Sequence, residues 1–140
     1  MFWDSSALLP YLGPEPSSEA ITSLLERDGS PSIWWATPVE CVSALERRRR
    51  EGALDRKLYN EARSRLSRIL DEVAIVQPHS TLRLRAERLL ATHPLRAADA
   101  LQLAAALVAC DDKPQGQSFA CLDARLRQAA EKEGFECLPG

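Results

Sequence analysis

The stretch SFACLDARLRQAAEKEG, residues 118–134, contains the change of pattern that decides the fold. Its first five residues are mostly apolar and predict a short strand that ends at Asp123. From Ala124 to Glu133 the apolar side chains recur at helical spacing, and Gly134 is a suitable helix stop. The start of the chain, MFWDSSALLP, has the same order of apolar strand, aspartate and helix. Two such units indicate strands that alternate with helices.

The rest of the chain continues this alternation. Further strands are expected in the apolar runs Ser32–Trp35, Val73–Val76 and Phe135–Leu138. Further helices are expected over Ser17–Arg27, from Thr37 to Gly52, and over Asp55–Asp71, Ser80–Leu90 and Arg96–Cys110. The last of these is apolar nearly all round, so it is expected to be buried. Short apolar strands that alternate with helices predict an α/β sandwich with a mostly parallel central sheet.

Length and composition limit the class of protein. The chain has 140 residues, 45% hydrophobic and 27% charged, which predicts one domain over residues 1–140 with a core of its own. No apolar run approaches the roughly 20 residues of a membrane helix. The first residues also lack the basic segment of a signal peptide. The four cysteines form no C-x-x-C pair, which argues against a zinc site and fits reduced thiols in a cytoplasm.

Four acidic residues lie next to apolar segments, and each has a local explanation. Asp4 and Asp123 can cap helices, Glu40 can close a capping box with Thr37, and Asp99 complements a helix dipole. In the expected topology, however, helix starts and strand ends share one edge of the sheet, so the four can converge. Clustered carboxylates repel unless a cation compensates, and oxygen ligands suit Mg²⁺ or Mn²⁺. The pattern therefore predicts a metal site that positions phosphate oxygens and activates water.

Positive charge is distributed unevenly along the chain. The net charge is -2, yet nine of the 18 Lys and Arg residues lie between Arg47 and Arg68. This stretch is either a nucleic-acid-binding face or a solvated helix surface. Arg96 lies three residues before Asp99 and shares its helix face, where it is either an ion-pair partner or a phosphate contact.

The order and context of these acids resemble those of PIN-domain nucleases. Four segments carry the resemblance, in the family's order: DSSALL (4–9), VE followed by SALER (39–40 and 43–47), RAADALQLAAA (96–106) and FACLDARLRQAA (119–130). The third is the most specific, and together they span nearly the whole chain. Size and pattern are most similar to the toxin ribonucleases of VapBC-type toxin–antitoxin pairs.

The resemblance implies an α/β/α domain and metal-dependent endonucleolytic cleavage of RNA. It implies that Asp4, Asp99 and Asp123 hold Mg²⁺ or Mn²⁺, with Glu40 as a further ligand or as the group that orients the attacking water. The Ser6 hydroxyl matches a position that supports the first aspartate. The resemblance also implies a cognate antitoxin that lays a segment over the site, and a homodimer.

Some features of the sequence depart from this interpretation or compete with it. The family commonly has Thr or Ser two residues before the fourth aspartate, whereas this chain has Cys121, which weakens the expected hydrogen bond. Glu46 competes with Glu40, but Glu40 lies in the first helical turn, nearer the sheet edge. The alternative function is a non-catalytic PIN-like module that binds RNA or protein, and the presence of all four acids argues against it. A receiver-like phosphotransfer domain would need an adjacent acidic pair after the first strand, where the chain has Asp4-Ser5.

Overall fold

Five short strands form one parallel sheet in the order β3-β2-β1-β4-β5. The computed structural model describes residues 1–140. The strands are β1 (Phe2–Trp3), β2 (Ser32–Trp34), β3 (Ala74–Val76), β4 (Ser118–Ala120) and β5 (Glu136–Leu138). The helices are α1 (Ser5–Leu12), α2 (Ser18–Arg27), α3 (Thr37–Arg50), α4 (Arg56–Leu70), α5 (Ser80–Thr92), α6 (Ala97–Ala109) and α7 (Ala124–Glu133).

The alternation of side chains along the strands creates two cores, one on each face of the sheet. In β1, Phe2 packs with α5, α6 and α7, whereas Trp3 packs with the core formed by α1 to α4. In β4, Phe119 and Ala120 divide in the same way. Because helices cover both faces, all the strands can be parallel. The predicted α/β/α sandwich is therefore confirmed.

Helix α6 is the central helix of one layer. Seven of its residues are buried, and six of these are alanine or leucine. The exception is Gln102, which is fully buried. The expectation that this helix is buried is confirmed. None of the seven helices has both the length and the apolar composition needed to cross a bilayer.

The strand order places a switch point between β1 and β4. From β1 the chain moves outward to β2 and β3, and from β4 it moves outward to β5 on the other side. In open parallel sheets, ligands bind beyond the carboxyl ends of the strands at such a point. Asp4 directly follows β1, and Asp123 lies just beyond β4 after Cys121 and Leu122, so the fold places two of the predicted acids there.

Candidate metal centre

The structure brings the four predicted acidic residues to one edge of the sheet. Asp4 follows β1 and Asp123 lies just beyond β4, and both are N-caps whose side chains accept hydrogen bonds from the helices that they start. Glu40 and Asp99 lie in the first turns of α3 and α6. Asp4 is buried, Glu40 and Asp99 are partly exposed, and Asp123 is exposed. The set thus extends from the protein interior to solvent.

Ser6 connects the ends of β1 and β4. Its backbone N–H and its hydroxyl both donate to Asp4 Oδ2, the former at 3.0 Å. The same hydroxyl oxygen accepts from the backbone N–H groups of Leu122, at 2.9 Å, and Asp123, at 3.2 Å. Ser6 therefore fixes one oxygen of Asp4 and the backbone that carries Asp123. This is the geometry expected of a residue that supports the first aspartate.

Both oxygens of Glu40 have a hydrogen-bond donor. The Ser5 hydroxyl donates to Oε1 at 3.2 Å, and the Gln102 amide donates to Oε2 at 2.9 Å. Helix α3 is capped by Ala36 without a side-chain hydrogen bond, so the expected capping box of Thr37 and Glu40 is wrong. The carboxylate turns toward α1 and α6 because those helices supply its two donors.

The competing carboxylate, Glu46, has other partners. It accepts from the Arg49 guanidinium at 2.7 Å and from the Tyr59 hydroxyl. These hydrogen bonds hold the pKa of Glu46 below its ordinary value. Glu46 is therefore engaged between α3 and α4. Glu40 remains the glutamate that we assign to the candidate site.

Burial and mutual repulsion raise the pKa values of three of the acids. Burial raises the pKa of Asp4, and Asp99 adds to the effect, although hydrogen bonds from Ser6 oppose it. Burial, together with the charges of Asp4 and Asp99, raises the pKa of Glu40 to about 7 in spite of its two donors. Burial and the neighbouring Asp123 carboxylate raise the pKa of Asp99. The four groups therefore interact electrostatically, and Asp4, Glu40 and Asp99 are harder to ionise than free carboxyl groups.

The donor set fits a hard divalent cation. All four groups offer oxygen, which Mg²⁺ and Mn²⁺ prefer. None of them has a Lys, Arg or His partner within 4.0 Å, although six other ion pairs form elsewhere in the chain. However, no three Asp, Glu, His or Cys side chains lie close enough together to coordinate one metal ion as they stand. The chemistry of the site is suitable, whereas its present spacing is wider than that of a coordination shell.

Cys121 occupies the position where a hydroxyl residue was expected. Its thiol lies 3.8 Å from Asp4 Oδ2 and 3.7 Å from the Ser6 hydroxyl, and it is fully buried. Burial and the negative charge of Asp4 raise the pKa of this thiol, which keeps it protonated. Its one proton can form a weak hydrogen bond with the Asp123 carbonyl oxygen at 3.5 Å or with Asp4 Oδ2 at 3.8 Å, and a hydroxyl would be the stronger donor.

The basic stretch from Arg47 to Arg68 is engaged in part within the protein. Four of its arginines contact other side chains or backbone carbonyls, namely Arg48, Arg49, Arg63 and Arg65. Arg47 instead lines a surface hollow of about 400 Å³ between α1 and α3. Ser5, Ser6 and Glu40 line the same hollow, so it opens directly from the acidic site.

Sequence reasoning missed two residues of this site, Ser5 and Gln102. Both belong to the quoted motifs, but only their contacts with Glu40 show what they do. A polar side chain in an otherwise apolar helix was the available signal for Gln102, because such a group needs a buried partner. Three exposed apolar side chains near the same edge were also missed: Trp35, Val39 and Leu122, which are 54%, 68% and 37% exposed.

Comparison with known proteins identifies the fold and the family of the chain. One solved structure with a similar fold is FitAcB from Neisseria gonorrhoeae, with a TM-score of 0.66, 16% sequence identity and coverage of 96% of each chain. A search of curated proteins found no match. Residues 1–132 match the PIN domain family. That match includes all four acids and the strands and helices that carry them, and the chain therefore belongs to the PIN-domain family.

Proposed function

We propose that this protein is a metal-dependent endoribonuclease and that Asp4, Glu40, Asp99 and Asp123 form its active site. The observation that carries the proposal is a set of four carboxylates at the switch point of the sheet without a cationic side chain within 4.0 Å. A purely structural site would gain stability from a basic partner, because unpaired partly buried charges are costly. A bound cation would supply that compensation.

The proposed ion is Mg²⁺ or Mn²⁺, held by Asp4, Asp99 and Asp123, with Glu40 binding it directly or through water. When bound, such an ion supplies positive charge to a scissile phosphodiester and makes water a stronger nucleophile at neutral pH. Ser6 would hold Asp4, and Ser5 would hold one oxygen of Glu40, in the orientations that the ion meets.

RNA binding is assigned to the arginines nearest the acids rather than to the whole basic stretch. Arg47 lines the hollow beside Glu40. Arg96 and Arg125 are exposed and lie close enough to Asp99 to lower its pKa, although the opposing effect of burial is larger. Arginine is well suited to phosphate because its guanidinium can donate two parallel hydrogen bonds. Arg47 thus lies beside Glu40, and Arg96 and Arg125 lie near Asp99, where they would hold phosphates on either side of the cleaved bond.

We further propose that the protein is the toxin of a toxin–antitoxin pair and acts in the cytoplasm as a homodimer. The sequence resemblance to VapBC-type toxins supports the role, and the exposed Trp35, Val39 and Leu122 offer an apolar surface near the site for an antitoxin segment. Light scattering of the isolated protein tests the dimer. Co-expression with the product of the adjacent gene tests the pair, and inhibition of cleavage by that product is the expected result.

The nuclease assignment is tested by incubating purified protein with labelled single-stranded RNA and analysing the ends that form. We expect internal cuts that leave 3′-hydroxyl and 5′-phosphate ends, loss of cleavage in EDTA, and recovery with excess Mn²⁺. Binding of RNA without cleavage at any Mg²⁺ or Mn²⁺ concentration would support the alternative of a non-catalytic PIN-like module.

A further inference from the structure

Gln102 is the one polar residue among the buried residues of α6. Its side chain is fully enclosed, and its amide nitrogen donates to Thr37 Oγ1 at 3.0 Å and to Glu40 Oε2 at 2.9 Å. Thr37 is also fully buried. The amide therefore links α6 to the first turn of α3 inside the core.

The orientation of this amide leaves its own oxygen unsatisfied. Gln102 Oε1 is buried without a hydrogen-bond partner. Rotating the amide by half a turn would place that oxygen against the Glu40 carboxylate and the Thr37 hydroxyl oxygen. The carboxylate would then face another acceptor, which is repulsive. The Glu40 carboxylate thus determines which way the amide faces, since the Thr37 hydroxyl can either accept or donate.

An unpaired buried oxygen makes Gln102 a poor choice for stability alone. An apolar side chain of similar size would fill the same space in a helix otherwise built from alanine and leucine. The residue also lies three positions after Asp99, so that both side chains share one face of α6. That face therefore presents one proposed metal ligand and, one turn later, the donor that orients another.

We propose that Gln102 is a positioning residue that holds Glu40 in the orientation needed to bind a divalent cation, with Ser5 fixing the other carboxylate oxygen. This rests on the proposed function, since it assigns the role of Glu40 to that metal site. The two donors occupy one lone pair on each oxygen and leave the others for the ion. Partners of this kind orient metal ligands, and removing them typically weakens metal affinity about 10- to 100-fold.

The test is calorimetric titration of Mn²⁺ alone into the metal-free protein, with the melting temperature measured on the same samples. We expect Gln102→Met to raise the Mn²⁺ dissociation constant by about tenfold or more. Gln128→Met, a matched control on the exposed face of α7, should leave it unchanged. Because Gln102→Met also leaves the Thr37 hydroxyl without a donor, the double variant Thr37→Val/Gln102→Met removes both buried polar groups.

The double variant separates positioning from stability. We expect it to melt close to the wild-type temperature and still to bind Mn²⁺ weakly. A dissociation constant within twofold of wild type in Gln102→Met, or recovery of affinity together with stability in the double variant, would overturn the assignment. If the wild type does not bind Mn²⁺, the proposed metal site itself fails; if Glu40→Gln does not weaken binding, the roles assigned to Glu40 and to Gln102 fail. If Glu40→Gln weakens binding and Gln102→Met does not, only the role of Gln102 fails.

Discussion

The backbone N–H of Asp4 donates to the carbonyl oxygen of Ala120 at 3.0 Å. This bond continues the pairing of β1 with β4 by one residue and fixes how far each strand extends toward the shared edge. As a consequence, Asp4 and the turn that contains Asp123 meet at the switch point, where Ser6 joins them. The position of the candidate site thus follows from the register of two short strands.

Replacing Asp99 by Asn distinguishes a metal ligand from a residue that only complements a helix dipole. We expect RNA cleavage to fall by orders of magnitude and the melting temperature of the metal-free protein to stay equal or rise. The reason is that burial and Asp123 already disfavour the charged form of Asp99 and raise its pKa. Asp111→Asn, in the exposed turn at the other end of α6, is the control. Full activity together with a loss of about 0.3–1 kcal/mol in stability would show that Asp99 only complements the helix dipole.

Glu40 should make the metal-free protein less stable as the pH rises. Its pKa is about 7 in the folded protein against 4.5 in the unfolded chain, so the folded state binds the proton more tightly. This stabilisation is fully present below pH 4.5 and is lost as the pH rises through 7. Because solvent screens this partly exposed group, we expect the free energy of unfolding to fall by about 1–2 kcal/mol over this range. Urea unfolding at pH 5 and pH 8 should show a larger loss in the wild type than in Glu40→Gln, which keeps only the raised pKa values of Asp4 and Asp99; equal losses in both proteins would contradict it.

Asp28 should have the opposite dependence on pH. Its carboxylate accepts from the Trp3 indole at 2.8 Å and from the amino terminus at 3.0 Å. Burial tends to raise the pKa of Asp28, but these bonds outweigh it and hold the pKa below the ordinary value. Its contribution is therefore present above the unfolded pKa of 3.8 and is lost as the pH falls through the folded value.

Asp28→Asn provides the corresponding measurement. We expect a loss of about 1.5–3 kcal/mol at pH 7, the usual effect of removing one partner of hydrogen bonds to a charged group. RNA cleavage should be retained, because Asp28 lies near the amino-terminal end of β1 and Asp4 at its carboxyl end. Urea unfolding gives the stability, and an unchanged unfolding free energy would show that these contacts contribute nothing.

Arg47 should contribute to RNA binding more than its neighbours in α3. Arg47→Ala is expected to weaken binding and to reduce the slope of log affinity against log salt by about 0.7, the value for one lost contact to a single strand. Arg50→Ala is the matched control, because Arg50 is exposed on the same helix and does not line the hollow. Affinity titrations at several salt concentrations decide the matter. Equal effects of the two variants would show that Arg47 contributes no more to RNA binding than any other surface charge.

The fold was predictable from the sequence because strand and helix periods alternate clearly. The helix from Ala124 to Glu133 has the predicted bounds, since Asp123 and Gly134 supply a cap and a left-handed stop. Other ends shift by one or two residues, as at Ser118–Ala120, where the strand stops before Cys121. Beyond Cys121, the Ser6 hydroxyl accepts hydrogen bonds from the backbone N–H groups of Leu122 and Asp123. Such long-range contacts cannot be deduced from the local sequence pattern.

The placement of the four acids at one edge was predictable from the sequence, whereas the contacts that hold their side chains were not. Carboxylates after strands and at helix starts follow from topology, which places them at one edge of a parallel sheet. The contacts of Gln102 and Ser5 with Glu40 join residues 62 and 35 positions apart, so only the packed structure reveals them. The contacts of Arg48 and Arg49 with Glu15 and Glu46 likewise show why a run of arginines is not by itself a binding face.

The most direct test of the central claim is a crystal of the protein grown with saturating Mn²⁺ and measured for anomalous scattering. We expect an anomalous peak at the carboxyl edge of the sheet, in contact with the carboxylates of Asp4 and Asp99 and within reach of Asp123 and Glu40. In Asp99→Asn crystals, that peak should weaken or disappear. A map with no peak at this edge, or with Mn²⁺ bound only elsewhere on the protein, would contradict the proposed metal centre.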